Sequence, residues 1–124
     1  MFPPAMTATL YAYPGCSTCR AARRWLDEHH VAYELVDIAR DPPNIDVLAS
    51  VAARAGLPVR KLFNTSGQLY RDGDYAARLK TWDDAASLAA LASHGMLIRR
   101  PVLVRGELAL VGFRAEEYAR ALAT

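Results

Sequence analysis

The stretch TLYAYPGCSTCRAARRWLDEHHVAYELVDI, residues 9–38, decides the fold. Thr9 to Tyr13 is a short apolar run stopped by Pro14-Gly15, the pattern of a buried strand with a turn after it. From about Ser17 to His29 the residues Ala21, Ala22, Trp25 and Leu26 recur at helical spacing, and Ser17 and Thr18 both suit the cap position. Val31 to Ile38 alternates as a second strand, with Tyr33, Leu35 and Val36 as its packing residues. Strand, helix and strand make a βαβ unit, so the two strands are expected parallel with a right-handed crossover.

Further along, Asp41-Pro42-Pro43 breaks the chain, Asn44 caps a helix over about Ile45 to Ala55, and Gly56 ends it. Gly56 to Tyr75 reads as short helical pieces and turns, with Asn64-Thr65-Ser66-Gly67 as one turn. Asp83 begins another helix that ends at His94-Gly95. Val102–Val104 and Glu107–Val111 are expected to form a hairpin joined at Arg105-Gly106, and Ala115 to Leu122 a closing helix. A parallel pair plus an antiparallel hairpin requires a mixed sheet of four strands. The expectation is therefore one α/β domain over residues 1–124, with residues 41–95 as a helical insertion and residues 1–7 disordered. Met6 is an alternative start, because the regular pattern begins just after it.

The composition is ordinary for a globular protein: 52% hydrophobic, 23% charged, net charge +2. That balance calls for neither nucleic acid nor membrane as a direct partner. Met1 to Met6 lacks the basic and apolar regions of a secretory signal, and no apolar run is long enough to span a bilayer. A monomer in the cytoplasm is expected, where a close cysteine pair points to catalysis, redox sensing or metal binding rather than structure.

The two cysteines, Cys16 and Cys19, are three residues apart. A disulfide between them closes so small a loop that it adds little stability. Cys16 falls where a helix begins, beside unpaired N–H groups and the positive end of the dipole, which favours the nucleophilic thiolate. Arg20 adds a nearby cation. Cys19, one turn into the helix, is placed to resolve a mixed disulfide on Cys16. A zinc site is not expected: His29 and His30 are adjacent and His94 is alone, which leaves the pair short of four ligands. The second signal is Leu97-Ile98-Arg99-Arg100-Pro101-Val102, with Pro101 at the first residue of a strand, where no donor is needed. Arg99 or Arg100 suits an oxyanion, because a guanidinium donates two parallel hydrogen bonds.

Pro14-Gly-Cys16-Ser-Thr-Cys19-Arg20, Lys61-Leu-Phe-Asn-Thr-Ser-Gly67, Gly95-Met-Leu-Ile-Arg-Arg-Pro101 and Val111-Gly-Phe113 together resemble the arsenate reductase–Spx superfamily. The resemblance runs from about Ala8 to Leu122 and is strongest toward arsenate reductase-like members with the Asn-Thr-Ser-Gly segment. It implies a thioredoxin-like fold in which a cis bond before Pro101 faces the cysteine motif. It also implies Cys16 as the nucleophile that attacks arsenate and Arg100 as an oxyanion binder. Asn64 and Gly112 stand where the glutaredoxin-dependent reductases place two further arginines. Each charged hydrogen bond is worth about 1.5–3 kcal/mol, so arsenate is expected to bind more weakly here. The Spx branch shares the cysteine pair and the Arg-Arg-Pro run. Its members bind the C-terminal domain of the RNA polymerase α subunit under control of a disulfide. Pro58 stands where that contact uses a glycine, with Gly56 out of register.

Two functions follow as expectations. The first is an arsenate reductase-like thiol–disulfide oxidoreductase acting on a small thiol or oxyanion substrate. Cys16 attacks, Cys19 resolves, and Arg100 holds the anionic part, with Arg20, Arg99 and Asn64 as further candidates. It needs no bound cofactor and is recycled by glutathione, thioredoxin or glutaredoxin. The second is an Spx-type switch that binds RNA polymerase. A folded remnant whose pair no longer works is the third reading.

Overall fold

The computed structural model describes residues 7–122. The expected disorder of residues 1–7 and the start at Met6 lie, Thr7 apart, outside the described residues. Strand β1 (Ala8–Ala12) alternates buried and half-buried residues and occupies an inner position of a four-stranded sheet with order β2-β1-β3-β4. β2 (Tyr33–Asp37) runs parallel to β1, with Leu10 opposite Leu35. β3 (Val102–Arg105) runs antiparallel to β1, and β4 (Leu108–Val111) antiparallel to β3. The mixed sheet is the one expected.

Because side chains alternate across a strand, the sheet carries one core on each face. Ala8, Leu10 and Ala12 of β1 join Cys19, Ala22 and Leu26 of α1 (Ser17–Glu28) and Tyr118 and Leu122 of α6 (Ala115–Leu122). Tyr11 and Tyr13 face the other way. There Leu48 and Val51 of α2 (Ile45–Ala55) meet Leu91 of α5 (Asp84–Ser93), with Leu62, Phe63 and Ile98 between them. Each of these fully buried large side chains removes apolar surface worth about 1.5–3 kcal/mol.

Local signals place the helices. Asn44 caps α2 by accepting the Val47 N–H at 2.9 Å, and Asp83 caps α5 by accepting the Ala86 N–H at 2.9 Å. Gly56 ends α2 at φ 68, a left-handed position that glycine occupies without penalty. Between α2 and α5 the chain forms a 3-10 turn (Val59–Leu62) and two short helices, α3 (Gln68–Asp72) and α4 (Tyr75–Arg78). Phe63, Tyr70, Tyr75 and Trp82 form an aromatic cluster that holds them together, Tyr70 stacked on Tyr75 and Trp82 edge-on to Tyr75.

Three features differ from the sequence expectation. β2 starts at Tyr33 rather than Val31, because the end of α1 consumes the residues before it. His30 turns left-handed at φ 56, its N–H donates to the Asp27 carbonyl, and Val31 donates to the Leu26 carbonyl at 3.0 Å. Leu35, expected to pack, is 47% exposed, since β2 is the edge strand of the sheet. The hairpin turn is Gly106-Glu107, with Arg105 paired to Leu108 and Gly106 at φ 57. A two-residue hairpin turn needs that positive φ, and glycine supplies it.

A short ladder helps tie the second half of the sheet to the helical insertion. Arg99 N–H donates to the Leu62 carbonyl and Asn64 N–H to the Leu97 carbonyl, both at 2.7 Å, around a bridge between Phe63 and Ile98. Gly95 sits buried beneath it, and a Cβ there would overlap the Ile38 carbonyl. Gly95→Ala is expected to lower stability by about 3 kcal/mol through forced overpacking, read as a lower denaturant midpoint at unchanged slope.

Candidate active site

The turn Pro14-Gly15 folds back so that the Cys16 N–H donates to the Tyr13 carbonyl at 3.1 Å. Cys16 then takes the N-cap of α1 at φ −96, ψ 119, with its Sγ accepting the Cys19 N–H at 3.3 Å. Sequence reasoning had offered Ser17 or Thr18 as the cap. The structure gives that role to the thiol itself, since the early turn places Ser17 and Thr18 already inside the helix. A capping group accepts an otherwise orphaned N–H, and a sulfur does so best when it carries charge.

Cys19 lies three residues on, 1% exposed, and its Sγ accepts the Tyr13 N–H at 3.5 Å. The two thiols differ sharply in acidity. Burial alone would raise Cys16. The Cys19 thiol and N–H, the Arg100 cation and the Thr18 N–H outweigh burial, and the Cys16 thiol falls below its ordinary value. Burial pushes the Cys19 thiol up to about 12, helped by the neighbouring Cys16, while the Tyr13 N–H and Arg100 oppose it only in part.

Arg100 precedes a cis bond to Pro101, one residue beyond the last β1–β3 pair, Tyr11 with Val102. Its Nη1 donates to the Met96 carbonyl at 3.3 Å and the Ile98 carbonyl at 3.4 Å. Its guanidinium lies over the Tyr13 ring, 5.7 Å from the centroid. Its Nε is buried and has no hydrogen-bond partner among the described residues. That leaves a held cation with an unused donor close enough to act on Cys16. Tyr13 was assigned to packing from the sequence. It also has a site role, because its backbone serves both cysteines and its ring lies against both Gly15 and Arg100. The strand alternation carried no signal of this, since the role depends on where Arg100 arrives.

The structure thus brings Cys16, Cys19 and Arg100 together, with the cis bond to Pro101 following Arg100. Arg20 stands behind the loop, its Nη1 donating to the Pro14 carbonyl at 2.8 Å, and so clasps the turn that presents Cys16. Arg99 reaches away to the end of β4, where its guanidinium covers Gly112. Asn64 turns its side chain onto its own turn, against Gly67. Tyr118 adds a buried hydroxyl without a hydrogen-bond partner among the described residues. Burial raises its pKa, and the nearby Cys19 adds to the shift. Among the described residues no cluster of three or more His, Cys, Asp or Glu side chains is arranged to hold a metal ion. No helix there is long and apolar enough to cross a membrane.

The lowered thiol pKa has a direct readout. With Cys19→Ser in place, alkylation of Cys16 by iodoacetamide is expected to stay fast as pH falls below the ordinary thiol range, because thiolate persists there. Adding Arg100→Ala removes a cation that stabilises the thiolate, so the midpoint shifts to higher pH. An unshifted midpoint would show that Arg100 does not act on Cys16. In the reduced parent protein Cys19 is expected to stay unmodified at neutral pH.

Comparison with known proteins agrees with this geometry. The chain is 40% identical over 113 residues to the uncharacterized protein YusI of Bacillus subtilis (strain 168), covering 91% of this chain and 96% of that one. It is 26% identical over 114 residues to the global transcriptional regulator Spx of the same organism, covering 92% and 86%. Among solved structures, a putative ArsC family related protein from Bacteroides fragilis superposes with TM-score 0.89 at 38% identity, covering 94% of this chain and 98% of that one. The arsenate reductase from Vibrio cholerae superposes with TM-score 0.82 at 26% identity, covering 93% and 97%. The model of the ArsC family matches residues 11–121, and the chain belongs to the ArsC family.

Proposed function

We propose that this chain is an arsenate reductase-like thiol–disulfide oxidoreductase with Cys16 as the attacking thiol and Cys19 as the resolving thiol. The observation that carries this reading is the asymmetry of the pair: one half-exposed, acidified sulfur at a helix cap, and one buried, protonated sulfur a turn away. Solved arsenate reductases with the same fold support the family side of the reading.

The Cys16 thiolate attacks one sulfur of a disulfide substrate and displaces the other as a thiolate. The product is a mixed disulfide on Cys16, which no longer carries charge. The effect of Cys16 that held Cys19 protonated is then gone, while Arg100 still favours its thiolate. Cys19 gives up its proton to the displaced thiolate and attacks the Cys16 sulfur, releasing the second thiol. The protein is left with a Cys16–Cys19 disulfide, having passed two electrons to the substrate. Glutathione, or a thioredoxin or glutaredoxin, returns two electrons and two protons in the cytoplasm. Arg100 offers its free donor to the anionic part of the substrate.

Arsenate fits this site less well than a disulfide. Arg100 is the cation acting on Cys16, Asn64 turns onto its own loop, and Gly112 carries no side chain. The similarity to Spx supports a second reading, a switch in which oxidation of the same pair changes affinity for RNA polymerase. A pull-down of the polymerase α subunit that depends on the redox state would favour the switch.

Turnover of a glutathione-capped disulfide is expected to vanish in Cys16→Ser. Cys19→Ser is expected to accumulate the mixed disulfide, visible as added mass on the intact chain. Full turnover in Cys16→Ser would rule the enzyme reading out.

A further inference from the structure

The core between the sheet and helices α1 and α6 is uneven in its chemistry. Its buried side chains are alanine and leucine, apart from Cys19 of α1 and Tyr118 of α6. Cys19 is 1% exposed and Tyr118 is 0% exposed. The Tyr118 ring is held from two sides, edge-on to Phe113 at 4.7 Å and to Trp25 at 5.6 Å between centroids. Its hydroxyl has no hydrogen-bond partner among the described residues. A buried donor left unpaired costs free energy, and a phenylalanine would fill the same space without that cost. Packing alone therefore does not account for the oxygen.

Charge on Cys19 does account for it. At rest Cys19 is held as a thiol by burial, its pKa pushed up to about 12. To resolve a mixed disulfide it must become a thiolate inside the same core. The Tyr13 N–H and the Arg100 cation favour that thiolate from β1 and from the approach to β3, and Cys16 opposes it only while Cys16 itself is charged. From α6 the buried polar group is Tyr118. A charge on Cys19 raises the Tyr118 pKa, and Glu117 acts in the same direction, so the hydroxyl keeps its proton while the sulfur is ionised. A hydroxyl proton turns to suit its surroundings, and hydroxyl dipoles orient in the local field. Among alanine and leucine side chains such a dipole acts with little screening.

We propose that Tyr118 is a positioning residue for the resolving step: its unpaired O–H turns toward the Cys19 sulfur as that sulfur ionises and so stabilises the resolving thiolate from the α6 side. The inference rests on the resolving role given to Cys19 above. In that step Cys19 gives its proton to the thiolate displaced first and attacks the Cys16 sulfur. The sulfur–sulfur bond to the second fragment breaks, and that fragment leaves with the electron pair as a thiolate. Tyr118 keeps its own proton throughout.

The test uses the whole reduced chain and an equimolar amount of the aromatic disulfide dithiobis(nitrobenzoate), which releases a coloured thiolate at each exchange. Cys16 is expected to release the first and Cys19 the second, so the second phase is absent in Cys19→Ser. Tyr118→Phe is expected to slow the second phase at least roughly threefold at neutral pH and to move its pH profile to higher pH. A rise of one pKa unit removes about tenfold of the thiolate, and the more basic sulfur regains part of that in nucleophilicity. The denaturant midpoint of reduced Tyr118→Phe is expected to equal or exceed that of the parent, because the hydroxyl it lacks had no partner. An unchanged second phase in Tyr118→Phe overturns the inference. So does a lowered midpoint, which would make the hydroxyl a structural group. A second phase that persists in Cys19→Ser overturns the resolving role itself, and this inference with it.

Discussion

The Cys19 N–H that donates to the Cys16 sulfur at 3.3 Å is the bond around which the site is arranged. It makes a thiol do the work usually given to a serine or aspartate oxygen at a helix start. A cap must accept, and a sulfur accepts best as thiolate, so helix formation and nucleophile activation draw on the same charge. The Pro14-Gly15 turn and the Arg20 clasp on the Pro14 carbonyl serve to put Cys16 at that cap. Were the helix to start one residue later, the sulfur would lose both the N–H and its place in front of the dipole.

The second requirement is a cation opposite the cap. Arg100 comes from a distant part of the chain, and no local signal can carry it there. It arrives because β3 pairs with β1, and because the ladder between Leu62–Asn64 and Leu97–Arg99 holds the approach to β3 in place. The helical insertion thereby acts as a brace for one guanidinium. Gly95 pressed against the Ile38 carbonyl shows how little slack that brace has.

Placed together, the two cysteines are unequal for one physical reason, which is depth. Cys16 is at the rim, where donors and a cation outweigh desolvation. Cys19 is in the core, where desolvation dominates. This inequality leaves the more acidic sulfur toward the surface and the harder-to-ionise one behind it. The same geometry sets the Arg100 cation to act on both cysteines.

The sequence by itself determined the order and kind of the main helices and strands, and the place of the cysteine motif between a strand and a helix. The breaks at Pro14-Gly15, Gly56 and Gly95, the caps at Asn44 and Asp83, and the apolar spacing of residues 9–38 act over a few residues and can be read locally. So can the place of Cys16 at a helix start. The sequence also named Arg100 and Pro101, through a resemblance that rests on motif order. Only the tertiary structure decided that Arg100 rather than Arg99 acts on the thiol, that Arg20 clasps the loop, that Asn64 turns aside, and that Tyr13 links the cysteines to Arg100. Adjacent residues entering a strand point to opposite sides, and which side meets Cys16 depends on sheet register. Register is a property of pairing between segments far apart in the chain, so it is settled by the packed fold.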